Sequence, residues 1–175
     1  RMAVEARFGL AQATEAAGDT VRALLLYREA AKSSQENRGD AAQLAIANLL
    51  FSQQKFQEAV NEYEAVGTRF PKSRLRSVAT LNAGFAYYQN NDFSNALAKF
   101  DVAETNQQQA VTAGYWKRLT LKALRDYSRA AEVLINVAEK AGDEAIAESV
   151  VYQLADCQFR SGQLAQAEAS LLKVT

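Results

Sequence analysis

Side chains that commonly carry out catalysis are scarce in this sequence. It has no histidine, the usual general base near neutral pH, and Cys157 is its only cysteine. One cysteine can form neither an internal disulfide nor a thiolate cluster for a metal ion. No glycine-rich phosphate loop followed by lysine and serine or threonine occurs. We therefore predict no catalytic residue, no cofactor and no metal site, and we expect the chain not to be an enzyme.

Carboxylates are common, but their spacing does not bring two of them together. Glu58, Glu62 and Glu64 fall in a segment with helical periodicity, as scattered charges rather than as a converging pair. A general acid and base must converge on one substrate atom, and this spacing does not provide that. We expect these side chains to be scattered solvent charges.

The charge balance also excludes several partners. Lysine plus arginine number 20 and aspartate plus glutamate number 20, so the chain has no global field to attract nucleic acid. No apolar run reaches the roughly 18 to 20 residues that a membrane-spanning helix needs. We expect no nucleic-acid partner and no direct membrane insertion.

An internal repeat organises the sequence. Alanines recur at positions 23, 59, 96, 130 and 167, at intervals of 36, 37, 34 and 37 residues. A large residue follows each alanine by four positions, and a small or branched residue follows by three more, so all three share one helical face. The large residues are Tyr27, Tyr63, Phe100, Leu134 and Leu171. A single proline and abundant alanine and leucine agree with long helices. The pattern predicts an all-α chain of five helix-turn-helix units.

The third copy carries the clearest motif. Gly84 and Tyr87 lie in its first helix, and Phe93 and Ala96 follow its turn. Pro71, in the preceding linker, stands where a repeat ends. These residues resemble the tetratricopeptide repeat (TPR) family, whose units of about 34 residues pair a helix A with a helix B. The resemblance implies a right-handed α-solenoid with A helices lining its concave side, and a protein-interaction scaffold as its function.

The resemblance covers the whole chain, so we predict a single domain of residues 1–175. The predicted repeats span approximately 1–36, 40–73, 74–108, 109–142 and 143–175. Because the sequence starts and stops within helical patterns, we expect it to be a fragment of a longer protein.

Helix A of the fourth copy departs from the family pattern. Strict spacing would bury Lys117 and Arg118, which is costly unless they have partners. We therefore predict a shifted register, with a shorter turn before Asp126 and with these residues inward: Trp116, Leu119, Thr120 and Ala123. The tryptophan that begins the family's helix A signature is also replaced in four copies, by Arg7, Gln43, Thr80 and Val151.

The family geometry implies a set of residues that face the concave groove. They are Leu44, Asn48, Phe51, Leu81, Asn82, Phe85, Tyr88, Tyr115, Tyr152 and Phe159. In one interpretation the aromatic rings anchor a peptide, while the two asparagines hydrogen-bond its backbone through their amides. In the other, most of the aromatic residues pack between adjacent A helices. The sequence leaves both interpretations open.

The same residues bear on three other functions known for helical-repeat proteins. A clamp for a C-terminal carboxylate is not expected, because its cationic positions are occupied by Phe8, Leu44, Thr112 and Trp116. RNA binding, as in pentatricopeptide proteins, would need a cationic groove that the balanced charge argues against. A structural spacer, or self-association through the terminal repeats, remains an alternative to a peptide scaffold.

A narrower resemblance suggests a compartment. Phe70-Pro71-Lys72-Ser73, leading into the next helix A, is similar to linkers in TPR lipoproteins and periplasmic proteins of bacterial envelopes. Those proteins serve outer-membrane assembly or division linked to the Tol-Pal system. The resemblance favours the bacterial periplasm or cell envelope, with the cytoplasm as the alternative.

Overall fold

The computed structural model describes residues 2–32, 36–141 and 144–172. Within those ranges the chain forms ten helices and no strand. None of these helices is both long and apolar enough to span a membrane. In chain order the helices are α1 (Met2–Ala16), α2 (Thr20–Ala31), α3 (Glu36–Ser52), α4 (Phe56–Arg69), α5 (Arg76–Gln89), α6 (Phe93–Glu104), α7 (Ala110–Ala123), α8 (Tyr127–Ala141), α9 (Glu144–Arg160) and α10 (Leu164–Leu171).

The helices form five consecutive pairs. The odd-numbered helices are the A helices and the even-numbered ones the B helices, and every helix packs against the next one in the chain. Contacts between α1 and α3, and between α5 and α7, join A helices of successive pairs. The predicted all-α solenoid of five TPR-like units is confirmed. The exact repeat boundaries stay a prediction.

One turn geometry joins A to B in every pair. The residue five positions before each repeated alanine has a positive φ, between 59° and 86°. The backbone N–H of the following residue donates to a carbonyl five residues earlier, over 2.8–3.1 Å, which closes the helix end. In three copies that following residue is an aspartate whose side chain also accepts the N–H that begins helix B. The left-handed residues are Gly18, Gln54, Asn91, Arg125 and Gly162.

This turn brings the two helices of each pair into close contact. The alanines at positions 23, 59, 96 and 130 are 0% exposed, and Ala167 is 6% exposed. Seven residues before the left-handed residue, helix A has a buried small residue in four copies: Ala11, Ala47, Gly84 and Ala155. A Cβ atom at Gly84 would lie 2.6 Å from the Phe100 ring, so the backbone approaches that ring as closely as glycine allows.

The shorter turn predicted after the fourth helix A is wrong. The turn has the same length as the others, with Arg125 at φ 59°, so the strict spacing applies. Lys117 is accommodated because its ammonium lies 2.7 Å from Asp101 Oδ1 and 3.0 Å from Glu104 Oε2 of α6. Arg118 is 8% exposed and takes the place of the small residue. Of the residues predicted to face inward, Thr120 is buried and Trp116 packs against the core, Leu119 is half-buried, and Ala123 is exposed.

Buried polar side chains connect neighbouring helices where the family pattern is broken. Gln43, at the family's tryptophan position, is 1% exposed and hydrogen-bonds to both Glu62 and Arg69. Arg69 also donates to the carbonyl of Ala31 over 2.6 Å, so it joins the second pair to the first. The network replaces an apolar contact with charge-assisted hydrogen bonds.

The expectation of scattered solvent charges is wrong for two of the three carboxylates. Glu62 is a partner of the buried Gln43. Glu64 accepts a hydrogen bond from the Tyr87 hydroxyl over 3.0 Å and lies 2.6 Å from the Lys99 ammonium. These carboxylates tie helix α4 to its neighbours.

Gly84→Ala should test the close contact within a pair. We expect it to lower the free energy of unfolding by about 1–3 kcal/mol, since the added methyl group must displace the Phe100 ring. Gly67→Ala on α4 is the matched control, because nothing lies within 4 Å of its Cβ position. It should raise stability by up to about 1 kcal/mol. Urea denaturation would measure both, and equal effects would contradict the close approach.

Candidate functional site: the face of the A helices

Contacts between successive A helices define a continuous surface, which we call the A-helix face. It begins with the amide pair of α3 and α5. Asn48 Oδ1 accepts hydrogen bonds from the Tyr63 hydroxyl, at 2.7 Å, and from Asn82 Nδ2, at 3.4 Å. Burial raises the pKa of Tyr63 to about 12, so this hydroxyl stays protonated and remains a donor. Asn48 Oδ1 is therefore engaged within the chain, which leaves less of this amide for a peptide backbone.

Aromatic rings form the middle of the A-helix face. The Trp116 ring of α7 lies 5.1 Å from Phe85, 5.2 Å from Tyr88 and 6.4 Å from Phe100, measured between ring centroids. Ring pairs at these separations stabilise a packed interface. Phe85 and Tyr88 thus pack against the next A helix. Leu81, at only 6% exposed, belongs to the same cluster.

The other predicted groove residues differ in exposure. Leu44 and Phe51 are half-buried, and Phe51 packs edge-on against Phe56 at 5.4 Å. Tyr115, Tyr152 and Phe159, by contrast, are 53%, 59% and 66% exposed. Half of the six predicted aromatic residues pack inside the chain, and the three exposed ones lie on α7 and α9.

Positive charge accompanies the exposed rings. Asp156 of α9 accepts a hydrogen bond from Arg160 over 2.7 Å and one from Lys122 of α7 over 3.1 Å. The Arg160 and Lys122 bonds hold the pKa of Asp156 below its usual range, so it stays ionised. The Arg118 guanidinium lies 5.1 Å from the centroid of the Tyr115 ring. Two cations thus pair with one carboxylate, and a third, Arg118, lies against the Tyr115 ring.

This charged cluster was not predicted from the sequence. Lys122 stands three positions before the left-handed residue of its turn, where the other copies have Glu15, Phe51, Tyr88 and Phe159. Retaining the strict spacing in the fourth copy would have placed it on the A-helix face. Because the sequence analysis favoured a shifted register for this helix, Lys122 was not predicted to lie on the A-helix face.

The substitution Trp116→Ala tests whether the Trp116 ring packs inside the chain rather than serving as a surface residue. Because the ring contacts three aromatic neighbours across two helices, we expect the free energy of unfolding to fall by roughly 2–4 kcal/mol. Tyr115→Ala, at the adjacent and exposed position, should cost less than about 1 kcal/mol. Thermal or urea denaturation measures both, and similar losses would count against the packing assignment.

Comparisons with known proteins agree with this architecture. A family model described as tetratricopeptide repeat matches residues 44–111. A search of curated protein sequences finds no significant match.

Three solved structures illustrate the likeness, each aligned over 98% of this chain. One is a putative kinesin light chain of Podospora anserina with nearly identical TPR-like repeats (18% identity, 92% of that chain, TM-score 0.68). Another is MamA of Desulfovibrio magneticus (14% identity, 92% of that chain, TM-score 0.71). The third is a tetratricopeptide repeat protein of Parabacteroides merdae (19% identity, 64% of that chain, TM-score 0.64). Residues 44–111 therefore match the tetratricopeptide repeat family, and the described chain folds as a TPR-like helical solenoid.

Proposed function

We propose that this chain is a protein-interaction scaffold that binds a peptide segment on the α7–α9 part of the A-helix face. The observation that supports this most directly is the pair Tyr115 and Tyr152. They occupy the same position in successive A helices, 37 residues apart, and each exposes more than half of its surface. Exposed tyrosines on rigid helices are frequent anchors in protein interfaces.

Local charge indicates the kind of peptide. Lys122 and Arg160 share the single carboxylate of Asp156, so this cluster carries a local excess of positive charge although the whole chain is neutral. An acidic side chain of a ligand could approach Lys122 or Arg160, while apolar residues next to it in the ligand cover Tyr115 and Tyr152. We infer a ligand segment that combines an acidic residue with aromatic or large aliphatic residues. Of the ten residues first predicted to line the groove, Tyr115 and Tyr152 belong to this patch.

Two alternatives make different predictions. A spacer or oligomerisation module would use the ends of the solenoid, so its properties would not depend on Tyr115 or Tyr152. An RNA-binding solenoid would need phosphate contacts along the whole face, so its affinity would not depend on Lys122 and Arg160 alone. The amide pair of α3 and α5 adds no positive charge.

The cellular setting is part of the proposal. The linker Phe70-Pro71-Lys72-Ser73 supports a place in a bacterial envelope, where a scaffold of this type would assist outer-membrane assembly. Separating periplasmic from cytoplasmic material in the experiment below would test this location directly.

Site-specific photo-crosslinking in native cells would test the binding surface. We expect a benzophenone amino acid at Tyr115 or Tyr152 to capture the same protein partner. The added substitution Lys122→Glu should reduce that capture by about tenfold, because it reverses one of the attracting charges.

Val102 on α6 provides the control, since it is 59% exposed and belongs to a B helix rather than to the A-helix face. Capture of the same partner with equal efficiency from position 102 would contradict the proposed surface. Capture of RNA instead of protein would favour the RNA-binding alternative.

A further inference from the structure

Arg118 stands at a position of helix A that the other repeats give to a small residue. Seven residues before the left-handed residue of the turn, the other four copies have Ala11, Ala47, Gly84 and Ala155. Arg118 is 8% exposed, so the chain encloses most of its side chain. Burying a cation costs free energy unless partners compensate its charge. A residue that departs from the pattern of its repeat at such a cost is a candidate for function.

In the part of the chain that the structure describes, the Arg118 guanidinium has no polar partner. It makes neither a hydrogen bond nor an ion pair there, and it contacts the Tyr115 ring, whose centroid lies 5.1 Å from Cζ. The ring attracts a cation but offers no oxygen atom to the five N–H donors. The neighbouring Lys117, by contrast, lies 2.7 Å and 3.0 Å from two carboxylates. The chain therefore neutralises the lysine and leaves the arginine unpaired.

The carboxylates that contact α7 are occupied by other cations. The two carboxylates of α6 both bind Lys117. On α9, Asp156 accepts hydrogen bonds from Lys122 and Arg160. An anionic partner for Arg118 must therefore come from outside the described residues.

The guanidinium is open to such a partner. No side-chain nitrogen atom in the described residues is both fully buried and without a hydrogen bond, so the unbonded nitrogen atoms of Arg118 reach the surface. They emerge beside Tyr115, which is 53% exposed on the A-helix face. The buried stem holds the guanidinium in place, which reduces the entropy lost when a ligand binds.

We propose that Arg118 binds the acidic side chain of the peptide ligand, holding its carboxylate through two parallel N–H···O hydrogen bonds. The inference rests on the proposed function, because it identifies the residue that receives the acidic group on the same α7–α9 surface. The planar guanidinium matches the two oxygen atoms of a carboxylate. Its single unpaired charge balances one negative charge, which favours aspartate or glutamate over a phosphorylated residue.

Lys122 and Arg160 have a different part in this arrangement. Both already donate to Asp156, so they attract the ligand by their charge rather than as its main hydrogen-bond donors. The site also differs from the clamp for a C-terminal carboxylate, whose cationic positions in α7 are Thr112 and Trp116. The proposed ligand group is an internal side chain rather than a chain terminus.

A pair of blocked tripeptides tests this assignment. The probes are acetyl-Leu-Glu-Leu-amide and its neutral counterpart acetyl-Leu-Gln-Leu-amide, which differ only in the charged group. Proton–nitrogen NMR of the 175-residue chain would follow the Nε–H resonances of Arg118 and Arg160. Arg160 provides the internal control, because its Nε–H already donates to Asp156 over 2.7 Å.

We expect the glutamate peptide to shift the Arg118 resonance saturably and the Arg160 resonance little, and the glutamine peptide to bind at least about tenfold more weakly. Arg118→Lys keeps the charge but removes the planar fork, so it should weaken the glutamate peptide by about tenfold, measured on the Tyr115 ring resonances. Arg118→Ala restores the small residue of the other copies. It should abolish the preference for glutamate while leaving the urea midpoint of unfolding unchanged or higher, whereas loss of a purely structural arginine would lower that midpoint.

An unmoved Arg118 resonance, equal affinity for the two peptides, or undiminished binding to the Arg118→Lys variant would overturn the proposal. So would tighter binding of acetyl-Leu-phosphoserine-Leu-amide than of the glutamate peptide, because the ligand group would then be a phosphate. Circular dichroism of each variant would establish that its helices are intact.

Photo-crosslinking from position Tyr152 separates this inference from the proposed function. We expect Arg118→Lys to reduce capture of the partner by about tenfold. Capture that this substitution leaves unchanged would overturn the role of Arg118 but not the binding surface. Selective binding of the glutamate peptide without any captured protein would support the carboxylate site and contradict the scaffold.

Discussion

The burial of one alanine of helix B at a fixed distance from the turn is the constraint on which the rest of the structure depends. It is set by a turn whose left-handed residue lies two positions after the end of helix A in all five pairs. Because the turn fixes the distance along the chain to the alanine, it fixes which side of every A helix faces its partner. The residues left on the A-helix face follow from that geometry.

Much of the fold was predictable because the repeated alanines have one dominant role. Their spacing identified the helix pairs, and nearly complete burial at positions 23, 59, 96 and 130 bears this out. The turn after the fourth helix A and the inward position of Ala123 were predicted wrongly, since the cost of burying Lys117 was judged from sequence alone. Its carboxylate partners lie on α6, and a one-dimensional pattern does not reveal that they converge. The burial of Gln43 was missed for the same reason.

At the candidate site, one position of the repeat carries side chains of different chemistry in successive A helices. At the position that faces the preceding pair, successive A helices have Asn82, Trp116 and Gln153. Asn82 meets another amide, and Trp116 meets three aromatic rings. Sequence analysis identified the aromatic composition of this face, but not the division between rings that pack and rings that are exposed. That division depends on which neighbouring helix covers each ring.

The stability of Arg125→Gly would test the common turn most directly. An arginine held at φ 59° is strained relative to glycine, so the substitution should raise the free energy of unfolding by roughly 0.5–1 kcal/mol. Had the fourth turn been shorter, with residue 125 in ordinary helical conformation, glycine would lower the free energy of unfolding by about 1 kcal/mol. A gain would support the register that places Arg118 and Lys122 beside the exposed tyrosines; a loss would contradict it.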